Sequence, residues 1–511
     1  MITTDLLIIG GGINGVGVAR DAAGQGIKVF LCEQDDLAQH TSSASTKLIH
    51  GGLRYLENYD LMLVRHALQE RERLLRIAPH IIWPVRFVLP HHRQLRSKWL
   101  IRLGLFLYDH IGGRQRLPAS RRLDLGKHPA GKVLQSGYST GFEYSDCRVK
   151  DSRLVVLSAM DAAAQGAIVK THTRCIGLQR HPEHWVATLR DQADGRRYPV
   201  RARALVNAAG PWVEPVLALD RSSAASHQIR LVKGSHIVVP KLFDHDYAYL
   251  FQNADGRVLF AIPYERDFTL LGTTDVELKE MTGRVQVSAE ETAYICQAVS
   301  QYFRRPVTPD QVVWSFSGVR PLYDNAASNA SKVTRDYHLH LDTEAAPIVS
   351  VFGGKITTYR KLAEQVMGLL AGPLQVTVTS WTADRSLPGG DIANADFEGF
   401  LEECRRRYPW LPAELLQDYA STYGTRISVL LEGCGGMGDL GQHFEGQLYQ
   451  RELDYLMAHE YARTVEDVLW RRTKRGLRVS REAGVRIDQW MSRHQTNDVS
   501  LMDPVTAEPK R

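Results

Sequence analysis

The stretch from Leu6 to Glu33 restricts the fold more than any other part of the chain. Leu6-Leu7-Ile8-Ile9 is a continuous apolar run, the pattern of a strand buried on both faces of a parallel sheet. Gly10-Gly11-Gly12-Ile13-Asn14-Gly15 follows at once, with Gly10, Gly12 and Gly15 in GxGxxG spacing. In such a turn the first glycine permits the bend and the second lets backbone approach a pyrophosphate. The third lets the helix pack close on the strand. The pattern predicts a helix from about Asn14 to Ala23, its first amides aimed at the phosphates. Gly24 and Gly26 offer a stop. Ile27 to Cys32 reads as a second strand, and Glu33 ends it, 21 positions after Gly12. An acid there accepts hydrogen bonds from ribose hydroxyls and argues against NADP, whose extra phosphate would want arginine. Strand, helix, second strand and terminal acid together make a dinucleotide-binding unit.

The next segment separates the dinucleotides. Thr41-Ser42-Ser43-Ala44-Ser45-Thr46-Lys47 is rich in small hydroxyls. A flavin needs many hydrogen bonds along its pyrophosphate and ribityl chain, so this loop favours FAD, with Thr41, Ser42, Ser43 and Lys47 as candidate contacts. Later segments read as returns to the same domain. Arg153 to Val169 is an alanine-rich helix leading to a short strand, and Ala204 to Ala209 is an apolar strand ending at Gly210. Ile348 to Phe352 is another, followed by Gly353-Gly354-Lys355, which brings Gly354 and Lys355 to the cofactor. Residues 56 to 80 read as a helix, and about 225 to 345 hold alternating runs typical of an antiparallel sheet. Leu387-Pro388-Gly389-Gly390 reads as a linker, with helical pattern beyond it.

The expected fold is therefore multidomain, mixing α/β and α+β. A Rossmann-like FAD-binding domain is assembled from discontinuous segments, about 1–80, 145–225 and 335–385. An antiparallel-sheet substrate domain takes about 81–144 and 226–334, so that residues 1–385 form the oxidoreductase region, and 390–511 form a C-terminal, mostly helical domain. A chain of 511 residues is too long for one ordinary core. The net charge of +6 permits nucleic acid, an anionic membrane surface or acidic small substrates. The cations are dispersed without interleaved aromatics, which argues against nucleic acid. The six cysteines show no metal-ligand spacing, so no metal is expected. No secretory signal and no run of about 18 apolar residues occur, so no helix is expected to span a membrane.

An ordered series of segments then carries a resemblance. It runs GGGINGVGVARDAAGQG, TSSASTKLIHGGLRYLE, GFEYSDCRV, NAAGPWV, KGSHIVVP, GTTDVE, SGVRPL, TRDY, FGGKITTYRKLAE, RRRYPWL and LWRRTK, from residue 5 to about 475. The chain closely resembles the aerobic, membrane-associated glycerol-3-phosphate dehydrogenases of the D-amino-acid-oxidase-like flavoprotein superfamily. The resemblance implies oxidation of sn-glycerol 3-phosphate to dihydroxyacetone phosphate, with electrons passed through FAD to ubiquinone. It implies a peripheral enzyme on the cytoplasmic face of the inner membrane and leaves a homodimer open. It places Arg54, Tyr55, Arg320 and Lys355 around the substrate, with Arg335 nearby.

The residues suit that chemistry. A phosphate with nearly two negative charges calls for arginine or lysine. Arg54, Arg320 and Lys355 each sit in a glycine-bounded segment. The hydroxyl that is oxidised must lose a proton, and His50 and His236 are the candidate bases. Lys355 or Arg320 could also stabilise the forming alkoxide. Thr274, in the turn Gly272-Thr273-Thr274-Asp275, is a candidate for positioning substrate hydroxyls. For the membrane, Arg93 to Tyr108 mixes four cations with a broad apolar face. Trp470 to Arg475 is a second basic cluster with no assigned role. The rivals are a glycerophosphate oxidase using oxygen, an amino-acid oxidase, a flavin-dependent nucleic-acid-modifying protein and a non-catalytic membrane flavoprotein. The oxidases tend to carry an insertion for which there is no room, and an amino-acid oxidase needs one arginine, not several cations.

Overall fold

The computed structural model describes residues 1–58, 60–92, 96–220, 229–253, 255–281, 283–323 and 336–495. It divides into two compact units, Met1–Ala395 and Asp396–Arg511.

The first unit begins as the sequence predicts. Strand β1 (Ile2–Ile9) runs into helix α1 (Ile13–Ala23) and then strand β2 (Val29–Cys32). Leu6, Leu7 and Ile8 have no solvent exposure, as a strand covered on both faces requires. β1 lies in an eight-stranded sheet, parallel to β2 on one side and to Arg197–Asn207 on the other. Ile348–Phe352 pairs parallel with Arg197–Asn207, and Ile168–Lys170 pairs parallel with β2. Antiparallel strands Thr173–Arg180 and Trp185–Asp191 extend the sheet beside Arg197–Asn207. Five strands thus run parallel, and the turns after β1, Arg197–Asn207 and Ile348–Phe352 meet at one end of them. α1 is almost wholly buried and packs against the helices Asp151–Ala164 and Tyr359–Leu374.

A second, ten-stranded sheet carries the other half of the unit. Toward one end of it, Ile229–Pro240 pairs antiparallel with Phe268–Gly272 and with Trp314–Tyr323. Among the described residues the sheet's only parallel pair joins Ala248–Gln252 to Ile82–His91; the other pairs are antiparallel, as the alternating pattern implies. Two helices flank this region, α2 (Leu61–Ile77) and α3 (Lys98–Ile111). A buried ion pair ties α2 to the helix Tyr359–Leu374: Arg360 donates from Nε and Nη2 to the two carboxylate oxygens of Glu70, at 2.7 and 2.6 Å.

The stretch expected as a linker does not behave as one. Leu387 is buried and its N–H donates to the Ile77 carbonyl at 2.9 Å, so Leu387–Gly390 belongs to the first unit. The division falls at Ala395/Asp396 instead. The second unit is mainly helical, with Phe397–Arg407, Ala413–Tyr423, Gln450–His459 and Arg481–Gln495 around a core that includes Leu401, Tyr419, Leu453 and Ile487. The basic cluster Trp470–Arg475 is used internally. Arg471 pairs with Asp467, Arg472 donates to the Glu460 carbonyl, and Arg475 pairs with Glu452 at 3.1 Å.

Arg360→Leu would leave the Glu70 carboxylate buried without its main partner. The expected cost is about 3–5 kcal/mol, read as a lower thermal midpoint. Glu70→Leu together with Arg360→Leu should recover much of it; a double variant as unstable as the single one would show that the pair is not what Arg360 contributes.

Candidate active site

The turns that end the parallel strands build an open groove, lined among others by Gly12, Asn14, Glu33, Trp212, Pro321 and Gly354. At Gly15 the packing leaves no choice of residue, because a Cβ there would stand 1.9 Å from the Gly10 carbonyl oxygen. Glu33 sits at the end of β2. Its carboxylate accepts from Gly11 N at 2.6 Å and from Asp35 N at 2.9 Å, and burial pushes its pKa up. Asn14 donates from Nδ2 to the Gly353 carbonyl at 3.0 Å, closing the glycine turn onto the start of α1. Among the described residues its Oδ1 is buried without a partner, and Asn14 lines the groove, so a donor from a bound group would satisfy it. The groove, the amides at the helix start and this orphaned oxygen fit a flavin dinucleotide.

The hydroxyl-rich loop forms one wall. Ser42 Oγ accepts from Ile13 N at 3.0 Å. Thr41 donates to the Val319 carbonyl at 2.7 Å, and Ser43 to the His40 carbonyl at 3.3 Å. Lys47 is turned inward. Its ammonium pairs with Asp151 at 2.8 Å, both groups buried, and donates to the Ser43 carbonyl at 2.8 Å. Gly210 and Gly354 line the groove. Sequence reasoning missed Trp212 and His40, whose rings meet at 4.5 Å on the same lining. The NAAGPWV segment held the signal for Trp212.

The expected substrate residues fall into three groups, each held by its own contacts. First, the Lys355 ammonium lies 3.6 Å from the centroid of the Tyr55 ring, a cation–π contact. His50 is next to it, its N–H donating to Thr357 Oγ1 at 3.2 Å. Second, Arg320 pairs from Nη1 with Asp275 at 2.6 Å and reaches Thr273 Oγ1 at 3.5 Å. It precedes Pro321, which lines the groove with Gly353 and Gly354. Third, His236 is buried, stacks on Phe316 at 5.0 Å and shares a hydrogen bond with Thr46 Oγ1 at 3.1 Å. Burial, then the charges of Arg320 and Lys47, hold its pKa well below the usual histidine range, so the ring is neutral at neutral pH. Among the described residues its Nδ1 has no partner. Thr274 is buried, and its hydroxyl already accepts from Ser235 N at 3.0 Å and donates to Glu291 at 2.8 Å. Arg335 lies outside the described residues, and Arg54 enters only as a backbone position in the turn after Gly52.

Comparison with known proteins agrees with this geometry. Residues 5–360 match the FAD-dependent oxidoreductase family. Residues 380–494 match the C-terminal domain of alpha-glycerophosphate oxidase. The chain is 51% identical over 489 residues to a glycerol-3-phosphate dehydrogenase of Pseudomonas aeruginosa, covering 95% of this chain and 94% of that one. It is 50% identical to a D-erythritol 1-phosphate dehydrogenase of Brucella abortus, over 96% of this chain and 97% of that one. Among solved structures, the glycerol-3-phosphate dehydrogenase of Bacillus halodurans, complexed with FAD, superposes with a TM-score of 0.75. It is 26% identical and covers 99% of this chain and 97% of its own.

Glu33→Ala removes the one carboxylate at the end of β2 that faces the groove. FAD retention should fall by about one to two orders of magnitude, the scale of a hydrogen bond to a charged group. The check is the ratio of flavin to protein absorbance after gel filtration; an unchanged ratio would remove Glu33 from the cofactor site.

Proposed function

The chain belongs to the FAD-dependent oxidoreductases, and from that premise we propose that it oxidises sn-glycerol 3-phosphate to dihydroxyacetone phosphate and passes the electrons to ubiquinone at an anionic membrane surface. When bound, FAD supplies the hydride acceptor. The reading is supported by two cations whose chain neighbours line the dinucleotide groove: Lys355, held over the Tyr55 ring and following Gly354, and Arg320, paired with Asp275 and preceding Pro321. Two cations of different chains of contact, beside one flavin site, suit a dianionic phosphate on a small alcohol.

Each side chain has a part. Arg320 is aimed by Asp275, which holds its Nη1, and its guanidinium is the group assigned to the phosphate oxygens. Lys355, steadied over the Tyr55 ring, offers a second charge to the phosphate or to the forming alkoxide. Arg54, following the His50-Gly51-Gly52 turn, is the third cation, and Arg335 belongs to the same assignment. His236 is neutral, the form that can take the proton of the reacting hydroxyl, and His50 is the alternative acceptor.

Support for the membrane comes from α3. Trp99, Leu100, Leu103, Phe106 and Leu107 are 40–69% exposed, half of the large apolar side chains that stand out from the described surface. Only Leu105, Tyr108 and Asp109 of this helix are buried. Lys98 and Arg102 flank the exposed face, as an interfacial helix needs. Among the described residues no helix is long and apolar enough to cross a membrane.

A second reading is a longer polyol phosphate, as the name of the Brucella relative suggests; the cations would serve either substrate, and only the space beyond the reacting carbon differs. Anaerobic addition of glycerol 3-phosphate should bleach the flavin, and faster bleaching by erythritol phosphate would favour the second reading. No bleaching by either would sink both. Reoxidation should be fast with a soluble quinone and slow with air; the reverse would mark an oxidase. Arg320→Ala should raise KM for the phosphate about 10- to 100-fold with FAD still bound, and an unchanged KM would take Arg320 out of the phosphate site. Trp99→Ser with Phe106→Ser should reduce binding to anionic vesicles in a flotation assay while leaving flavin bleaching intact.

A further inference from the structure

Helix α3 is joined to the candidate substrate loop by a buried hydrogen-bond chain. The inner face of α3 carries Tyr108, whose hydroxyl accepts from Gly51 N at 2.8 Å. The same hydroxyl lies 2.8 Å from both carboxylate oxygens of Asp146. The roles are fixed by chemistry. A backbone N–H can only donate, so the tyrosine accepts from Gly51 and must give its own hydrogen to Asp146. Arg71 of α2 completes the chain, donating to Asp146 Oδ1 at 2.8 Å and to the Ser145 carbonyl at 2.9 Å. Tyr108, Asp146 and Arg71 are all at most 3% exposed.

The loop has little freedom at this point. A Cβ on Gly51 would stand 2.6 Å from Leu68 and 2.8 Å from the Tyr108 ring. Gly51 follows His50 and leads through Gly52 into Arg54 and Tyr55. Gly52 lies against the Tyr55 ring, and that ring carries the Lys355 ammonium. One hydrogen bond therefore fixes the backbone between the candidate base and the residues assigned to the phosphate. Burial keeps the Tyr108 hydroxyl protonated and raises Asp146 to about 6, against the pull of Arg71, so the chain of donors holds at neutral pH.

We propose that Tyr108 is a positioning residue: it never meets the substrate, but through Gly51 it sets where the His50–Tyr55 loop presents its groups. The inference rests on the assignment of that loop to the phosphate substrate. It also makes α3 a two-faced element, with its exposed apolar side toward the proposed membrane and its buried side on the loop.

The test is Tyr108→Phe in the full-length, FAD-loaded protein. The ring stays, and only the hydroxyl goes. Steady-state and anaerobic flavin-reduction rates are taken per bound FAD, so that any poorly folded fraction does not count. Expected are a rise of about five- to tenfold in KM for glycerol 3-phosphate and an equal rise in the inhibition constant of inorganic phosphate, the scale of one lost buried hydrogen bond. Flavin content and reduction by dithionite should be unchanged. A purely structural tyrosine would lower the melting temperature or the flavin content and leave both constants, per bound FAD, where they were; that result overturns the proposal. The wild-type protein separates the two levels of inference. If glycerol 3-phosphate fails to bleach it, the functional reading falls; if it is bleached and Tyr108→Phe matches it in both constants, only the positioning role falls.

Discussion

Everything in the first unit depends on how closely α1 can approach the turn that precedes it. Gly15 touches the Gly10 carbonyl oxygen so tightly that only a hydrogen fits between them. That contact lets α1 start at the sheet edge with its first amides open to the groove, where the positive end of the helix favours an anion. The rest of the chain is arranged to return to this point. The strand Arg197–Asn207 ends at Ala208–Gly210 and the strand Ile348–Phe352 ends at Gly353–Gly354, both lining the same groove. Asn14 then ties the last of these turns to the helix start across 339 residues of sequence.

The second sheet is held to this junction by the loop Thr41–Lys47 rather than by extensive strand pairing. Thr41 bonds to the backbone of Val319, one residue before Arg320, and Thr46 bonds to the ring of His236. The loop's own anchor is the buried pair of Lys47 with Asp151, to which Ser45 also donates at 2.8 Å. Asp151 is the first residue of the helix Asp151–Ala164, where a carboxylate is favoured by the helix dipole. A buried ion pair of this kind gives little net stability but strongly penalises any arrangement that separates its members. Its use here is to fix register. The loop has one seat, and that seat sets the distance between the flavin groove and the strands that bear Arg320 and His236.

Much of this could be read from the residues. The period of the first 33 positions, the glycine spacing and the apolar runs before Gly210 and Gly353 gave the parallel sheet and the groove, because each is a local pattern with a local cause. What could not be read was how polar residues are spent. Lys47 and Thr274 sit in small polar segments that look like ligand loops, yet their partners are Asp151 and Glu291, distant in sequence. Trp470 to Arg475 looks like a surface patch, but its cations are consumed by Asp467, Glu452 and a carbonyl. Leu387–Gly390 has linker composition but packs on the end of α2. In each case the composition is the same whether the group faces solvent, ligand or a buried partner, and only the fold decides. Tyr108 was hidden for the opposite reason: in an amphipathic segment it passes for one more interfacial aromatic.

α3 shows what such a helix can do when both of its faces are used. A purely structural surface helix buries its apolar stripe and exposes its charges. Here Leu105 and Tyr108 suffice to seat the helix, and most of its large apolar side chains face outward. That surplus costs solubility unless something apolar covers it. Under the proposed function, a charged, water-soluble alcohol and a lipid-soluble electron acceptor must both come within reach of one flavin. A short helix lying in the interface meets that need without crossing the bilayer. Its inner face is pinned to the Gly51 backbone, so the helix proposed to meet lipid and the loop proposed to meet phosphate share one rigid support.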